Sequence, residues 1–325
     1  NVGPSVWHGI YVAMAGGLVL PLFSPFAEEI FAFIGHSPAV QQDEVIFFRI
    51  LNLGAFFFLA NGAFSCFYSG RGKSWTIMWM NLSMCCLNVL LDYLLIFGYW
   101  GLPRMGIQGA GIASVASSGT IMVAYAVLFC SRKNDAQFQT RSSWTFNLDL
   151  FKRMIRFGTP SGAHFFLDLT GLTIFILLVG RIGVVEQAAS NIVLNINLLS
   201  LLPMIGLGTA TSIMVGQFQG AKESHLANRT TVSALHMAFV HNTVIALLYW
   251  FIPDILISPF ITETFRVQLP ELEATTIQLL RFFIVIIYLD SAIIMTGSTL
   301  KGSGDTRFVM AALAATSIFC LVLPS

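Results

Sequence analysis

Two aspartates lie where an ionised carboxylate is unusual. Asp168 and Asp290 each fall near the middle of an apolar stretch that is long enough to cross a membrane. A charged Asp at the centre of such a helix costs roughly 2.5–3.5 kcal/mol on insertion scales, so these residues usually face a cavity or a partner and mark ion pathways. A neutral Asp that joins helices by hydrogen bonds is the simpler explanation, but the midplane position of both residues favours ion binding.

The composition indicates a membrane protein. The chain has 325 residues, of which 56% are hydrophobic and 10% charged, whereas soluble domains carry about 25% charged residues. At least eight apolar stretches approach the ~20 residues that span a ~30 Å hydrocarbon core. Runs such as 282–289 do not alternate apolar and polar residues as barrel strands do, so helices are predicted. The predicted spans are 7–34, 46–69, 75–99, 106–130, 155–180, 187–217, 231–259, 277–300 and a truncated 308–325.

The distribution of basic residues predicts the orientation. With Asn1 in the cytosol, most lysines and arginines fall in loops or helix ends on the cytosolic side, as the positive-inside rule requires. We therefore expect a multi-pass protein of the plasma membrane, which in a bacterium is the inner membrane, surrounded by the lipid bilayer. Neither the net charge of +1 nor any basic run indicates a nucleic-acid partner. The chain does not begin with methionine and its last span stops at Pro324-Ser325, so a fragment of a longer protein is expected. No signal peptide is recognisable, so membrane insertion is expected to rest on the helices themselves.

The longest polar connection, residues 131–153, predicts a cytosolic linker between two halves of the chain. Its second part is partly apolar, which indicates a short amphipathic segment at the membrane interface. An offset of 232 residues also suggests an internal repeat, and such repeats place transport sites between halves. The pairs at this offset are Arg49 with Arg281, Gly70 with Gly302 and Gly72 with Gly304.

Asparagines recur at helical spacing in two spans. Asn88 and Asp92 share one face of the third span, and Asn191 and Asn195 share one face of the sixth. Hydrogen bonding between helices explains these polar stripes about as well as the lining of a cavity does. Both pairs are therefore candidate cavity residues.

His164 precedes Asp168 by four residues and shares its helix face. The simpler interpretation is that His164 packs against neighbouring helices. It is also a candidate residue for the lining of a cavity. A membrane-embedded enzyme would need a histidine with several acids at metal-ligand spacing, and this pair alone is insufficient. We therefore expect a protein without enzymatic activity.

Four prolines lie within predicted spans, where each removes a backbone hydrogen bond and can kink its helix. Such interruptions are tolerated in membrane helices and can serve as hinges or as static bends. The candidate hinges are Pro21, Pro25, Pro160 and Pro203.

Several segments resemble the multidrug and toxic compound extrusion (MATE) family. The segment 208–221 is similar to a helix end and cytosolic turn of that family, and 88–93, 106–114 and 300–307 are similar to other family signatures. The resemblance runs over nearly the whole chain in family order. It implies an all-α polytopic bundle with two six-helix lobes. About nine helices would be present here, divided into an N-lobe at 1–130, the linker at 131–153 and a truncated C-lobe at 154–325.

The resemblance also implies a function. In NorM-type members, acids at the positions of Asp168 and Asp290 bind the coupling cation, so it implies a Na⁺- or H⁺-coupled antiporter that exports small organic cations. Na⁺ at these two aspartates would be the metal, without a further cofactor, and we expect the protein to function as a monomer. Asn88 and Asp92 would belong to an N-lobe cation or proton network. The ion would displace an organic cation that uses the same charges.

A lipid-linked oligosaccharide flippase of the same superfamily is the alternative function. Such a protein would favour a large basic cavity for a phosphorylated lipid. Midplane aspartates in place of arginines argue against it.

Overall fold

The structure, a computed structural model, describes residues 2–34, 37–101, 103–260, 271–306 and 308. These ranges contain twelve α-helices and no strand, as predicted. Seven spans in the described part are long and apolar enough to cross a membrane, and a bent pair of helices makes an eighth. The predicted span 308–325 lies outside the described residues, apart from Phe308.

The chain divides into two compact units, Asn1–Met154 and Ile155–Ser325. In the first unit, α3, α4 and α6 pack together, with α1 against α4 and α5 against α6. The helices of this unit are α1 (Val2–Val19), α2 (Ala27–Ile34), α3 (Pro38–Leu53), α4 (Ala55–Ser69), α5 (Ser74–Phe97), α6 (Ile107–Phe129) and α7 (Arg132–Phe138).

The predicted span 7–34 is not one continuous α-helix. A 3₁₀ segment, Leu20–Phe26, separates α1 from α2 and contains both Pro21 and Pro25. Arg49 on α3 supports this interruption, because its Nε donates to the Ser24 carbonyl at 3.3 Å and its Nη2 pairs with the Glu28 carboxylate at 2.9 Å. The two prolines thus lie where the helix type changes, within a span that is still long and apolar enough to cross a membrane.

The predicted span 46–69 is broken at Gly54, where α3 and α4 meet at a bend of 49°. A Cβ atom on Gly54 would lie 2.4 Å from Cγ2 of Val115 on α6. The neighbouring helix therefore approaches so closely that a side chain does not fit at the bend. At the 232-residue offset of the suggested repeat, the helix in the second unit is continuous.

The segment that follows α7 is fastened to α1. The indole Nε1 of Trp7 donates to the Thr140 carbonyl at 2.8 Å, and the Tyr11 hydroxyl donates to the Trp144 carbonyl. His8 is fully buried, with Nδ1 at 2.7 Å from the Pro4 carbonyl and Nε2 accepting from the Asn147 backbone N–H at 2.9 Å. Residues 139–147 are therefore part of the first unit.

Replacing Trp7 by Phe is expected to loosen this attachment. The variant keeps a ring beside Phe129 but leaves the Thr140 carbonyl without its donor, which costs about 1 kcal/mol. We expect roughly fivefold faster proteolysis between residues 139 and 147, measured on the purified protein in detergent. Trp79→Phe is the control, because Trp79 is 57% exposed. Equal cleavage rates for Trp7→Phe and the wild type would rule out this role of the indole.

The second unit is built around three packed helices. Its helices are α8 (Leu148–Ile182), which begins in the first unit, α9 (Val184–Gly220), α10 (Ser224–Phe251), α11 (Pro253–Ile257) and α12 (Leu272–Ser303). Helices α9, α10 and α12 pack on one another. The predicted span 231–259 is divided at Ile252, because Pro253 lacks the N–H that would continue α10 and instead starts α11.

Small residues allow the backbones of α9 and α12 to approach closely. A Cβ atom on Gly302 would lie 2.5 Å from the Ser212 carbonyl oxygen, and one on Gly208 would lie 2.7 Å from Oγ of Ser298. Membrane helices use such small residues to gain van der Waals contact. The close approach therefore lies in the C-terminal halves of both helices, which end at Gly220 and Ser303.

The turns that end α4 and α12 share a backbone feature at the offset of the suggested repeat. Gly72 and Gly304 are equivalent at the 232-residue offset, and both have positive φ, 70° and 92°. Glycine adopts this left-handed conformation without the steric cost that a Cβ atom adds. The same local requirement therefore explains both glycines.

Candidate functional site

Helices α9, α10 and α12 line a small, partly open cavity of about 10 Å³ in the second unit, to which Asp290 contributes. This volume is close to the minimum for one water molecule. Asn197 and Ser200 of α9, Asn242 of α10 and Ser291 of α12 also line it. The remaining lining residues are apolar: Leu201, Met204, Ile287 and Ile294.

Helical spacing brings these side chains together. The α9 residues occupy positions 197, 200, 201 and 204, and the α12 residues occupy 287, 290, 291 and 294. Both sets follow the i, i+3, i+4, i+7 pattern of one helix face. The polar residues of each helix therefore meet those of its neighbour at the same level.

The cavity contains amide oxygens that have no hydrogen-bond donor among the described residues. Asn242 is fully buried, and its Nδ2 donates to the Ile287 carbonyl at 2.8 Å, which fixes the orientation of the amide. Its Oδ1 is buried without a hydrogen-bond partner, as is Oδ1 of Asn197. Buried polar atoms of this kind need a partner such as a water molecule or an ion.

The oxygen atoms around Asp290 fit a hard cation. The Ser291 hydroxyl donates to the Tyr288 carbonyl at 2.9 Å, so its lone pairs remain available as acceptors. Carboxylate, amide and hydroxyl oxygens are ligands that hard cations prefer. In the described residues no group of three or more His, Cys, Asp or Glu side chains has metal-site geometry, so a zinc-type centre is not formed there.

Asp168 and His164 lie in α8, and their side chains are outside what the structure describes. The described residues that line the cavity at Asp290 belong to α9, α10 and α12. The ion-binding role of Asp168 therefore remains a prediction.

A second polar cluster lies in the first unit along α6. Nδ2 of Asn88 donates to Oγ of Ser114 at 3.4 Å, and Nδ2 of Asn61 donates to the Ser118 carbonyl and hydroxyl, both at 2.9 Å. One carboxylate oxygen of Asp92 is buried without a partner, as is Oδ1 of Asn61. The role of Asn88 and Asp92 in a cation or proton network remains a prediction, and Asn61 was not among the residues predicted for it.

The other candidate residues do not line the cavity at Asp290. Asn191 and Asn195 are exposed on α9, where Nδ2 of Asn195 donates to the Asn191 carbonyl at 2.8 Å. Pro160 and Pro203 lie inside the continuous helices α8 and α9. Roles of these residues in a wider cavity or as hinges remain predictions.

Sequence reasoning did not single out Asn197, Ser200 or Asn242. The only sequence signal for them was a polar residue within an apolar stretch, which is also the signal that identified Asp290. Neutral asparagines are common in membrane helices, so the signal is weaker for them than for an acid.

Comparisons with known proteins identify relatives. A family model described as MatE matches residues 1–94 and 160–324. The chain is 24% identical over 308 residues to a probable multidrug resistance protein NorM of Thermotoga maritima, covering 92% of this chain and 63% of the relative. A probable multidrug resistance protein NorM of Brucella suis is 25% identical over 320 residues, which cover 95% of this chain and 66% of the relative. The chain thus spans about two thirds of the length of these relatives.

Solved structures share the fold. An outward-facing multidrug resistance MATE family transporter of the MOP superfamily superposes with a TM-score of 0.84 at 20% identity, covering 98% of this chain and 69% of the other. A MOP superfamily transporter from Pyrococcus furiosus, whose binding pocket is described as having reverse polarity, superposes with a TM-score of 0.83 at 19% identity. The match covers 99% of this chain and 76% of the other. Since the family model covers most of the sequence and the helices follow the MATE bundle, the chain belongs to the MatE family and is NorM-like.

Proposed function

We propose that the protein is a Na⁺-coupled antiporter that exports organic cations, with the coupling ion bound at Asp290. The observation that carries the proposal is the shared cavity of Asp290 with the buried, unpaired Oδ1 atoms of Asn197 and Asn242. The names of the NorM relatives support multidrug export. Asp168 is proposed as a second functional carboxylate, and the first residue is proposed to lie in the cytosol.

Sodium is favoured over a proton by the number of oxygen atoms. A proton needs one carboxylate, whereas the cavity offers Asp290, two amide oxygens and the hydroxyls of Ser200 and Ser291. Hydrogen bonds orient Asn242 and Ser291 before any ion arrives. Such preorganisation reduces the entropy lost on binding.

The size of the cavity changes the expected mechanism. Cavities that hold drug-sized ligands measure about 300–1,000 Å³, so an organic cation does not fit beside Asp290 in this conformation. The organic cation and Na⁺ therefore do not compete directly for Asp290. Their binding is instead coupled indirectly, through the helices. Sodium would hold α9, α10 and α12 around the cavity, and its release would allow these helices to rearrange and change affinity for the organic cation elsewhere.

The driving force depends on the stoichiometry. Exchange of one monovalent drug for one Na⁺ moves no net charge, so only the ion gradient drives it. Two ions per drug would add about 2.3 kcal/mol for each 100 mV of membrane potential. The alternating-access cycle then uses both gradients.

The direct test is ethidium transport by the full-length protein reconstituted in liposomes. An imposed Na⁺ gradient and an imposed pH gradient are applied in separate experiments. Transport driven by Na⁺ is expected. Transport driven by the pH gradient alone would overturn the choice of ion, and silence under both would overturn antiport and favour the lipid-linked oligosaccharide flippase.

Asn197→Leu separates ion binding from folding. Asn197 makes no hydrogen bond with a described residue, so an apolar side chain of similar size should leave the melting temperature unchanged or raise it. We expect the Na⁺ concentration for half-maximal ethidium transport to rise at least tenfold, since one oxygen ligand is lost. Asn195→Leu, on the exposed side of α9, is the matched control. An unchanged Na⁺ dependence would remove Asn197 from the site.

A further inference from the structure

Helices α9 and α10 form an open groove of about 390 Å³ on the second unit, separate from the cavity at Asp290. The α9 wall includes Leu207, Met214 and Phe218, and the α10 wall includes Leu226 and Met237. Small residues such as Ala210 and Ala234 form part of its lining. The hydroxyls of Thr211 and Thr230 donate to carbonyls one turn earlier in their own helices, so they present no free donor to the groove. The lining of the groove is therefore mainly apolar.

One charge interrupts this apolar lining. Arg229 lies five residues after the start of α10, near the end of the groove where α9 joins α10. It is exposed and makes no hydrogen bond or ion pair with any described residue. A guanidinium beside an apolar channel fits a ligand with an anionic oxygen group and an apolar tail.

The length of the groove matches one membrane leaflet. From Leu207 to Phe218 the α9 wall rises over eleven residues, which is roughly 16 Å at ~1.5 Å per residue. Half of a ~30 Å hydrocarbon core is about 15 Å. The end of the groove that carries Arg229 lies near the turn that contains Lys222. This turn is on the side of the membrane that is proposed to be cytosolic.

We propose that this groove binds one acyl chain of an anionic phospholipid from the cytosolic leaflet, with the lipid phosphate on Arg229. Basic pockets between helices on the cytosolic side are suited to such headgroups. The groove contributes apolar contact along α9 and α10, and the guanidinium contributes selection for negative charge. The proposal does not depend on the coupling ion or on the transported substrate.

Native mass spectrometry of the delipidated full-length protein, titrated with phosphatidylglycerol or phosphatidylcholine, tests the charge. The wild type is expected to bind phosphatidylglycerol in preference. Arg229→Gln should weaken that binding about fivefold, the effect of one basic residue near an anionic headgroup. Lys222→Gln removes a charge from the adjacent turn outside the groove and should leave the affinity unchanged. Equal losses in both variants, or none in Arg229→Gln, would overturn the site.

Filling the groove tests the acyl chain. Ala210 is exposed to the open groove, so Ala210→Phe should occupy it and abolish selective phosphatidylglycerol binding, while Val232→Phe on the exposed surface of α10 should not. Ala210→Leu is the milder variant if the first does not fold. Binding that survives both Ala210 variants would show that the headgroup alone is recognised. A wild type that binds neither lipid would overturn the proposal.

Discussion

Asp290→Asn is expected to abolish Na⁺-driven ethidium efflux. The substitution keeps the size of the side chain but removes the negative charge that balances a cation among the neutral oxygens of Asn197, Asn242 and Ser291. Without that charge, sodium would enter a site built from neutral dipoles alone, and we expect its affinity to fall by at least 100-fold. The measurement is transport by the reconstituted full-length protein under an imposed Na⁺ gradient.

The control for this experiment is Asp254→Asn. Asp254 is an exposed carboxylate in α11 and does not line the cavity. Both variants should retain the melting temperature of the wild type within a few degrees. Full Na⁺-driven efflux in Asp290→Asn would contradict the proposed site, whatever the result for Asp168→Asn.

Gly302→Ala is expected to have the largest effect on stability. The added Cβ would lie 2.5 Å from the Ser212 carbonyl oxygen and 3.0 Å from the Ser212 Cα, both backbone atoms of α9. Overpacking of a well-packed interior costs typically 1–3 kcal/mol, and backbone atoms relax less easily than side chains. We therefore expect a loss of about 3 kcal/mol, or failure to insert as a folded bundle.

Gly206→Ala provides the matched comparison. Gly206 lies on α9 and has nothing within 4 Å of its ideal Cβ position. Alanine is the better helix former by roughly 0.5–1 kcal/mol, so this variant should be as stable as the wild type or more stable. Thermal unfolding in detergent, followed by loss of the monodisperse peak in size-exclusion chromatography, measures both. Equal melting temperatures for the two variants would contradict the close approach of α9 and α12.

The membrane spans could be predicted because their signal is local. Span existence follows from the length and apolarity of each stretch, and α5 and α6 agree closely with the predictions at 75–99 and 106–130. The close approach at Gly54 could not be predicted, because it involves Val115 of a helix about sixty residues later. The 3₁₀ segment was signalled by Pro21 and Pro25, although the sequence did not determine which helix type would result.

The charged residue of the candidate site could be predicted from the sequence. Asp290 was selected because a buried charge is costly wherever it lies, and the structure places it on a polar cavity. Asn191 and Asn195 were chosen from α9 while Asn197, two residues later, lines that cavity. Helix α9 is apolar around most of its circumference, so its sequence does not reveal which face meets α10 and α12. That choice is made by tertiary packing.

The attachment of residues 139–147 to α1 affects how the longest polar loop can be engineered. Such loops are the usual sites for inserted tags, but tolerance depends on the burial and hydrogen bonding of the backbone. Here Thr140 is fully buried and its hydroxyl donates to the Phe129 carbonyl. An insertion would separate the partners of Trp7 and His8. The short turn between α9 and α10, with its exposed residues 219–225, is the better place for a reporter.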